Sequence, residues 1–300
     1  MYNKDITIVG VPMDLGADRR GVDMGPSAIR YASLKEKLSE LGCNVKDAGN
    51  LAVPTPESYK VGSSKLKYLR EITQVSEELA VTLDHEIQKG RFPLVLGGDH
   101  SIAIGTIAGV AKHYKRLGVI WFDAHGDLNT ADTSPSGNIH GMPLAASLGI
   151  GHSDLVNISG FSPKVHPENV VVIGARDLDE GERTLIRQQG IQVFTMHDID
   201  RLGMGAVMEE TLRIVTDGTD GVHLSLDLDG LDPHDAPGVG TPVVGGITYR
   251  EGHLAMEMLA ASHRLTSAEF VEVNPILDHG NRTAQAAVAL IGSVFGEKVL

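Results

Sequence analysis

The feature that most constrains this chain is a series of short apolar runs that do not alternate with polar residues. ITIVGV (6–11), FPLVLGG (92–98), GVIWFDA (118–124), VVVIGAR (170–176), IQVFTM (191–196), VHLSLDLD (222–229) and SAEFVEV (267–273) are all of strand length, and NVKDAG (44–49) is a weaker one. A strand with one wet face alternates; a continuous apolar run predicts a strand covered on both faces, as in a parallel sheet between helical layers. Longer segments with helical spacing separate the runs. Pro26 suits a first helical turn. After it, Tyr31, Leu34, Leu38 and Leu41 recur at three- and four-residue steps, predicting one helix with an apolar stripe, and Gly42 suits its C-terminal cap. Further helices are predicted over 63–89, 101–116, 203–217, 249–262 and 281–296. The fold class that follows is α/β: one three-layer α/β/α domain over 1–300, with a mostly parallel sheet. No internal repeat, low-complexity tract or linker interrupts it.

Composition narrows the partners. The net charge is −13 and no Lys or Arg cluster breaks the acidic balance. Nucleic acid and anionic membrane, which need a basic footprint, are therefore not expected partners. Cys43 is the only cysteine, so no intramolecular disulfide forms, which suits a reducing compartment. The N-terminus reads as a first strand and not a signal peptide, and no stretch approaches the ~20 apolar residues of a membrane span. The expected location is cytoplasmic.

Three of the runs end in chemistry. LVLGG leads into Asp99-His100, GVIWF into Asp123-Ala124-His125-Gly126-Asp127, and VHLSL into Asp227-Leu228-Asp229. Residues two apart on an extended segment share a side, so Asp123, His125 and Asp127 can converge, as can Asp227 and Asp229. In open α/β sheets ligands bind beyond the carboxyl ends of the strands, where all three clusters lie. Bare, four gathered carboxylates would repel one another. Two divalent cations would cancel their charge, with His100 and His125 adding one neutral nitrogen to each. The mixed oxygen and nitrogen set suits Mn²⁺, with Zn²⁺, Fe²⁺, Co²⁺ and Ni²⁺ as alternatives. Asp99 reads equally well as a plain helix cap. The loops 127–140 and 230–246 are long and rich in Gly, Pro, Ser and Asp, a pattern more often functional than idle.

GGDHS (97–101), DAHGD (123–127) and SLDLDGLDP (225–233) together resemble the ureohydrolase family, and SGNIHGMP (136–143) and EVNP (272–275) resemble its arginase branch. The resemblance runs from GVPMDLG (10–16) to the last helix. It implies a parallel sheet of about eight strands and a site with two Mn²⁺ per subunit. It further implies that His100 and Asp127 bind one ion, that His125 and Asp229 bind the other, and that Asp123 and Asp227 bridge them. His140 then matches a catalytic histidine, and Glu272 a carboxylate that receives the substrate guanidinium. Asn129, Ser134 and Ser136 match positions around a substrate α-carboxylate, Asp179 and Glu182 positions around an α-amino group, and Thr241 a position near the guanidinium. Ser134 stands where threonine is common among relatives but keeps the hydroxyl. Without the resemblance, Asn129, Ser134 and Ser136 read as turn residues, Asp179 and Glu182 as the acidic first turn of a helix, and Glu272 as a strand-end carboxylate.

The activity implied is hydrolysis of L-arginine to L-ornithine and urea. A guanidinium carbon is a poor electrophile, so the expected nucleophile is a hydroxide held between the ions and oriented by Asp127. Glu272 would pair with the substrate cation, and His140 would carry the proton to the leaving amine. A sister enzyme acting on agmatine or another guanidino compound would share the metals but not the α-carboxylate contacts. The resemblance also implies a homo-oligomer, trimer or hexamer.

Overall fold

In the computed structural model, which describes residues 4–17 and 19–298, eight strands form one wholly parallel sheet. They are β1 (Asp5–Val11), β2 (Asn44–Asn50), β3 (Phe92–Gly97), β4 (Leu117–Phe122), β5 (Val170–Ala175), β6 (Gln192–Thr195), β7 (Gly221–Asp227) and β8 (Leu265–Val271). Their spatial order is β2-β1-β3-β8-β7-β4-β5-β6. Every predicted run is a strand, including the weak one at 44–49, which takes the edge and is largely exposed.

The helices of seven residues or more among the described residues are α1 (Gly25–Tyr31), α2 (Leu34–Glu40), α3 (Leu69–Gln88), α4 (Ala103–Ala111), α5 (Glu180–Gln189), α6 (Met196–Leu202), α7 (Met204–Val215), α8 (Tyr249–Ser262) and α9 (Arg282–Val294). They cover both faces. Ile6, Ile8, Leu94, Leu96, Ile120 and Phe122 pack into one core with α1, α2, α7, α8 and α9. Val9, Val11, Val95, Val119 and Trp121 pack into a second with α3 and α4. Successive residues thus point into different cores, both dry, which is why the sequence runs apolar without alternating. No helix among the described residues is long and apolar enough to cross a membrane.

Three predicted helices differ. The segment after Pro26 is two helices, broken at Ser33, whose φ of 66° is left-handed. Tyr31 is 86% exposed and not part of a buried stripe; Ile29, Leu34 and Leu38 are the buried residues. Gly25 seats the first of the two helices. A Cβ there would meet Val273 O at 2.7 Å and Gly97 O at 2.9 Å, so α1 runs hard against the strand ends while α2 turns away to cover β2. The 63–89 helix starts only at Leu69, because Gly62–Ser63 and Leu66–Lys67 form a small antiparallel hairpin. In 101–116, the helix proper is α4, preceded by a 3-10 turn at His100–Ile102. The polar α5 buries only Glu182 among its side chains, so it offers no stripe to read in sequence.

The tightest approach lies beneath the site. A Cβ on Gly98 would meet Met13 O at 1.8 Å. Gly98 N also donates to Val11 O at 2.8 Å, and Gly98 O accepts from Glu272 N at 2.8 Å, so the backbone cannot simply step aside. Gly98→Ala is expected to cost about 1–3 kcal/mol or more, the usual penalty for overpacking. Denaturant unfolding with an unchanged midpoint would contradict this.

Candidate metal centre

The carboxyl ends of β3, β4 and β7 lie near the middle of the sheet, and their loops deliver the predicted ligands to one place. His100 Nδ1 is 3.1 Å from Asp123 Oδ2, 3.0 Å from Asp127 Oδ2 and 3.1 Å from Asp227 Oδ2. His125 Nδ1 is 3.3 Å from Asp123 Oδ1 and 3.2 Å from Asp229 Oδ2. Ligand atoms therefore gather in two groups, His100–Asp123–Asp227 and Asp123–His125–Asp229, with Asp123 common to both. Asp227 falls in the first group only, and Asp127 reaches that group through His100.

The carboxylates are steered by the backbone. Asp123 Oδ1 accepts from His125 N at 2.7 Å, Asp227 Oδ1 from Asp229 N at 2.8 Å, and Asp229 Oδ1 from Ala124 N at 3.2 Å. Trp121 Nε1 donates to Asp123 Oδ2 at 3.0 Å, and its ring stacks on His100 at 4.1 Å. Ser225 Oγ donates to the buried Glu269 at 2.7 Å and lies 2.8 Å from His100 Nε2. Ser225's own proton is thus committed, so His100 Nε2 must donate to Ser225 Oγ. That tautomer leaves the Nδ1 lone pair for a metal.

Two observations show that this cluster fits divalent cations. First, His100 Nδ1 and Asp127 Oδ2 are buried and have no hydrogen-bond partner, although they lie 3.0 Å apart. They converge on a point and not on each other. Second, the protonation balance is distorted. Burial and repulsion from Asp123 push the Asp127 carboxyl up to about 7, and burial with the charges of Asp229 and Asp123 raises Asp227. Burial opposes charging His100, yet Asp123, Asp127 and Asp227 pull its pKa well above the ordinary range. A buried group of this kind holds its carboxylates ionised and its imidazoles neutral only when cations replace the protons.

Beside the cluster stand His140 and Glu272. Glu272 is 1% exposed; its Oε1 accepts from His100 N at 3.0 Å and lies 3.3 Å from His140 Nδ1, while its Oε2 has no partner. Burial disfavours the His140 imidazolium, but Glu272 and Asp127 overcome it and raise the pKa to about 9. Asp127 and Glu272 have left-handed φ of 52° and 65°. Left-handed backbone on a non-glycine residue costs roughly 1–3 kcal/mol and clusters at functional sites.

The ligands open into a small cavity of about 120 Å³. It is lined by all the residues predicted for the site except Asp123 and Glu272, and Glu272 touches two of the lining residues, His100 and His140. At the rim, Ser134 Oγ accepts from Gly137 N at 3.0 Å and Ser136 Oγ from Asn138 N at 3.2 Å. The two hydroxyls lie 3.5 Å apart, so one can donate to the other while the remaining hydroxyl proton is available to an anion. Asn129 is tied on both sides: its Nδ2 donates to Asp179 Oδ2 at 2.8 Å and its Oδ1 accepts from Thr133 at 2.9 Å. Glu182 is buried, with its carboxylate on Leu128 N at 3.1 Å and Asp179 N at 2.8 Å. Thr241 Oγ1 donates to Asp229 Oδ2 at 2.9 Å.

With this geometry the chain can be set beside known proteins. A model of the arginase family matches residues 4–296. The chain belongs to that family. It is 65% identical to the arginase of Bacillus caldovelox over 298 residues, 99% of this chain and all of that one. The crystal structure of the Bacillus caldovelox arginase superposes with a TM-score of 0.97 at 65% identity, covering 99% of each chain. The Bacillus cereus arginase does so with a TM-score of 0.95 at 67% identity, covering 98% of this chain and 99% of that one.

Several contributors in this family member were not singled out among the site residues. Asn138 lines the cavity, and its side chain donates to Ala17 O at 3.0 Å. Its place inside SGNIHG was the available signal. Arg176, at the end of β5, donates to the carbonyls of Asp229, Gly230, Leu231 and Val243 and so pins the loop that follows the last ligand. A lone cation closing an apolar strand run could have marked it. Glu269 and Ser225 gave no signal, because their partners come from neighbouring strands.

Proposed function

We infer that this enzyme hydrolyses L-arginine to L-ornithine and urea. It is a metal-dependent hydrolase acting on a linear amidine. The observation that carries the reading is the juxtaposition of two ligand groups sharing Asp123 with a buried Glu272 whose Oε2 is free. We read residues 1–300 as a single ureohydrolase domain.

His100, Asp123, His125, Asp127, Asp227 and Asp229 would hold two Mn²⁺, a metal that suits mixed carboxylate and imidazole donors. When bound, the ions supply the Lewis acidity that makes water nucleophilic at neutral pH. Glu272 receives the substrate guanidinium on Oε2 and balances its charge. Asp127 orients the attacking oxygen and takes its proton. His140 donates a proton to the nitrogen that leaves as the amine of ornithine; its ring is held for this by Glu272. The hydroxyls of Ser134 and Ser136, with the Asn129 amide, accommodate the α-carboxylate. Asp179 and Glu182 accommodate the α-ammonium, and Thr241 keeps Asp229 in place. The same reading makes the enzyme a cytoplasmic homo-oligomer, trimer or hexamer, whose small-molecule partner is L-arginine.

Arginine and agmatine share the guanidinium and differ in the α-carboxylate, so only the rim can tell them apart. Agmatine leaves the serine hydroxyls without their anion, a mismatch that can cost up to about 10⁴-fold. Rim donors near water recover part of that. L-arginine is therefore expected to exceed agmatine in kcat/KM by at least about 10²-fold, and Asn129→Ala to narrow the gap by weakening arginine. Urea release measured with both substrates checks this. Equal values would move the enzyme to another guanidino substrate with the same chemistry.

A further inference from the structure

Asp99 is a fully buried carboxylate that the reaction does not use, and all its hydrogen bonds run to one purpose. Its Oδ2 accepts from Gly16 N at 2.7 Å and Ala17 N at 3.0 Å. Its Oδ1 accepts from Ser101 N at 3.0 Å and from Ser101 Oγ, and its own N donates to Met13 O at 2.8 Å. The helix-cap reading is thus correct but incomplete, since Oδ2 serves a segment 82 residues earlier in the chain. That segment in turn carries the catalytic loop: Gly16 O accepts from His140 N at 3.2 Å, and Ala17 O from Asn138 Nδ2 at 3.0 Å. On its other side, the neighbouring His100 N holds Glu272 Oε1, which lies against the His140 ring.

We propose that Asp99 is a positioning residue for His140: it clamps the Gly16–Ala17 turn, on which the His140 backbone rests, to the strand end that fixes Glu272. His140 is then held twice, through its backbone and through its ring, and both supports originate in residues 98–100. The inference rests on the reading of His140 as the proton donor. A carboxylate is required. Four donors converge on two oxygens, and an amide in either orientation presents its NH₂ to two of them. The turn must also be glycine at 16, where a Cβ would meet Asp99 Oδ1 at 2.5 Å and Ser101 Oγ at 2.6 Å.

A double-mutant cycle on the metal-loaded enzyme tests this. Asp99→Asn is expected to keep two ions per subunit and to lower kcat by about 10-fold or more when His140 is present, the scale of a small misplacement. In the His140→Ala background it is expected to lower kcat by less than about 3-fold, because a residue acting through His140 has nothing left to position. Gly16→Ala, which wedges the turn off Asp99 without altering a charge, is expected to show the same non-additivity, and it decides the matter if Asp99→Asn does not fold. Equal losses in both backgrounds, or a lowered Tm with kcat per loaded site unchanged, would overturn the proposal. Full activity in His140→Ala alone would instead overturn the proton-donor reading.

Discussion

Stripping the enzyme with a chelator abolishes urea release, and Mn²⁺ restores it: this is the expected result with the largest effect. Asp123, Asp127, Asp227 and Asp229 are buried within one cluster, and burial with mutual repulsion already pushes Asp127 up to about 7. Removing two cations returns that repulsion to the core of the site. The stripped protein is therefore expected also to lose thermal stability, since whatever binds only the folded state stabilises it. Metal analysis of the active enzyme is expected to find two ions per subunit. One ion per fully active subunit would contradict the paired site, and undiminished urea release without metal would end the metal-dependent reading.

His140→Ala is expected to keep both ions and the fold while lowering kcat about 10²–10⁴-fold, the range for losing a positioned general acid. His140 belongs to neither ligand group, so its removal leaves the metal sites intact. Its role as an acid carries a pH sign. Burial lowers the pKa, but Glu272 overcomes this and raises it to about 9, so the imidazolium persists through neutral pH and is lost as pH rises through that value. Bound cations pull the value downward, in the direction of neutrality. The kcat profile of the native enzyme is therefore expected to fall on the alkaline side, and that limb is expected to vanish in His140→Ala. Loss of metal in the variant would make His140 a ligand, and unchanged kcat would remove its role altogether.

The metal centre was legible because each strand run ends in its own ligands. The extended repeat expected there does not persist past the strand ends: Leu228–Gly230 is a 3-10 turn and Asp127 has left-handed backbone, so turns and not a straight strand bring Asp123 to His125, and they send Asp227 and Asp229 to different ligand groups. The substrate rim was legible only through resemblance. Ser134 and Ser136 make the local turns that their residue types favour, and Glu182 caps α5, so chemistry and turn-making share the same atoms. The single helix predicted after Pro26 failed for a different reason. Periodicity reports which residues are apolar, but not that the chain turns at Ser33 between a helix seated on the strand ends at Gly25 and a second one that covers β2.

Sequence alone determined the layers, the parallel sheet and the candidate ligands, because burial on both faces and the chemistry of carboxylate and imidazole are properties of residue types in local order. Tertiary structure decided everything that depends on which strands are neighbours. The order β3-β8-β7-β4 sets Glu272 against His100, Ser225 against Glu269 and Asp229 against Ala124. The pairing of β1 with β3 brings Gly16 and Ala17 within reach of Asp99. Those pairs lie 44 to 172 residues apart. No local pattern encodes them, because crossover connections fix strand order only when the whole sheet closes its two cores.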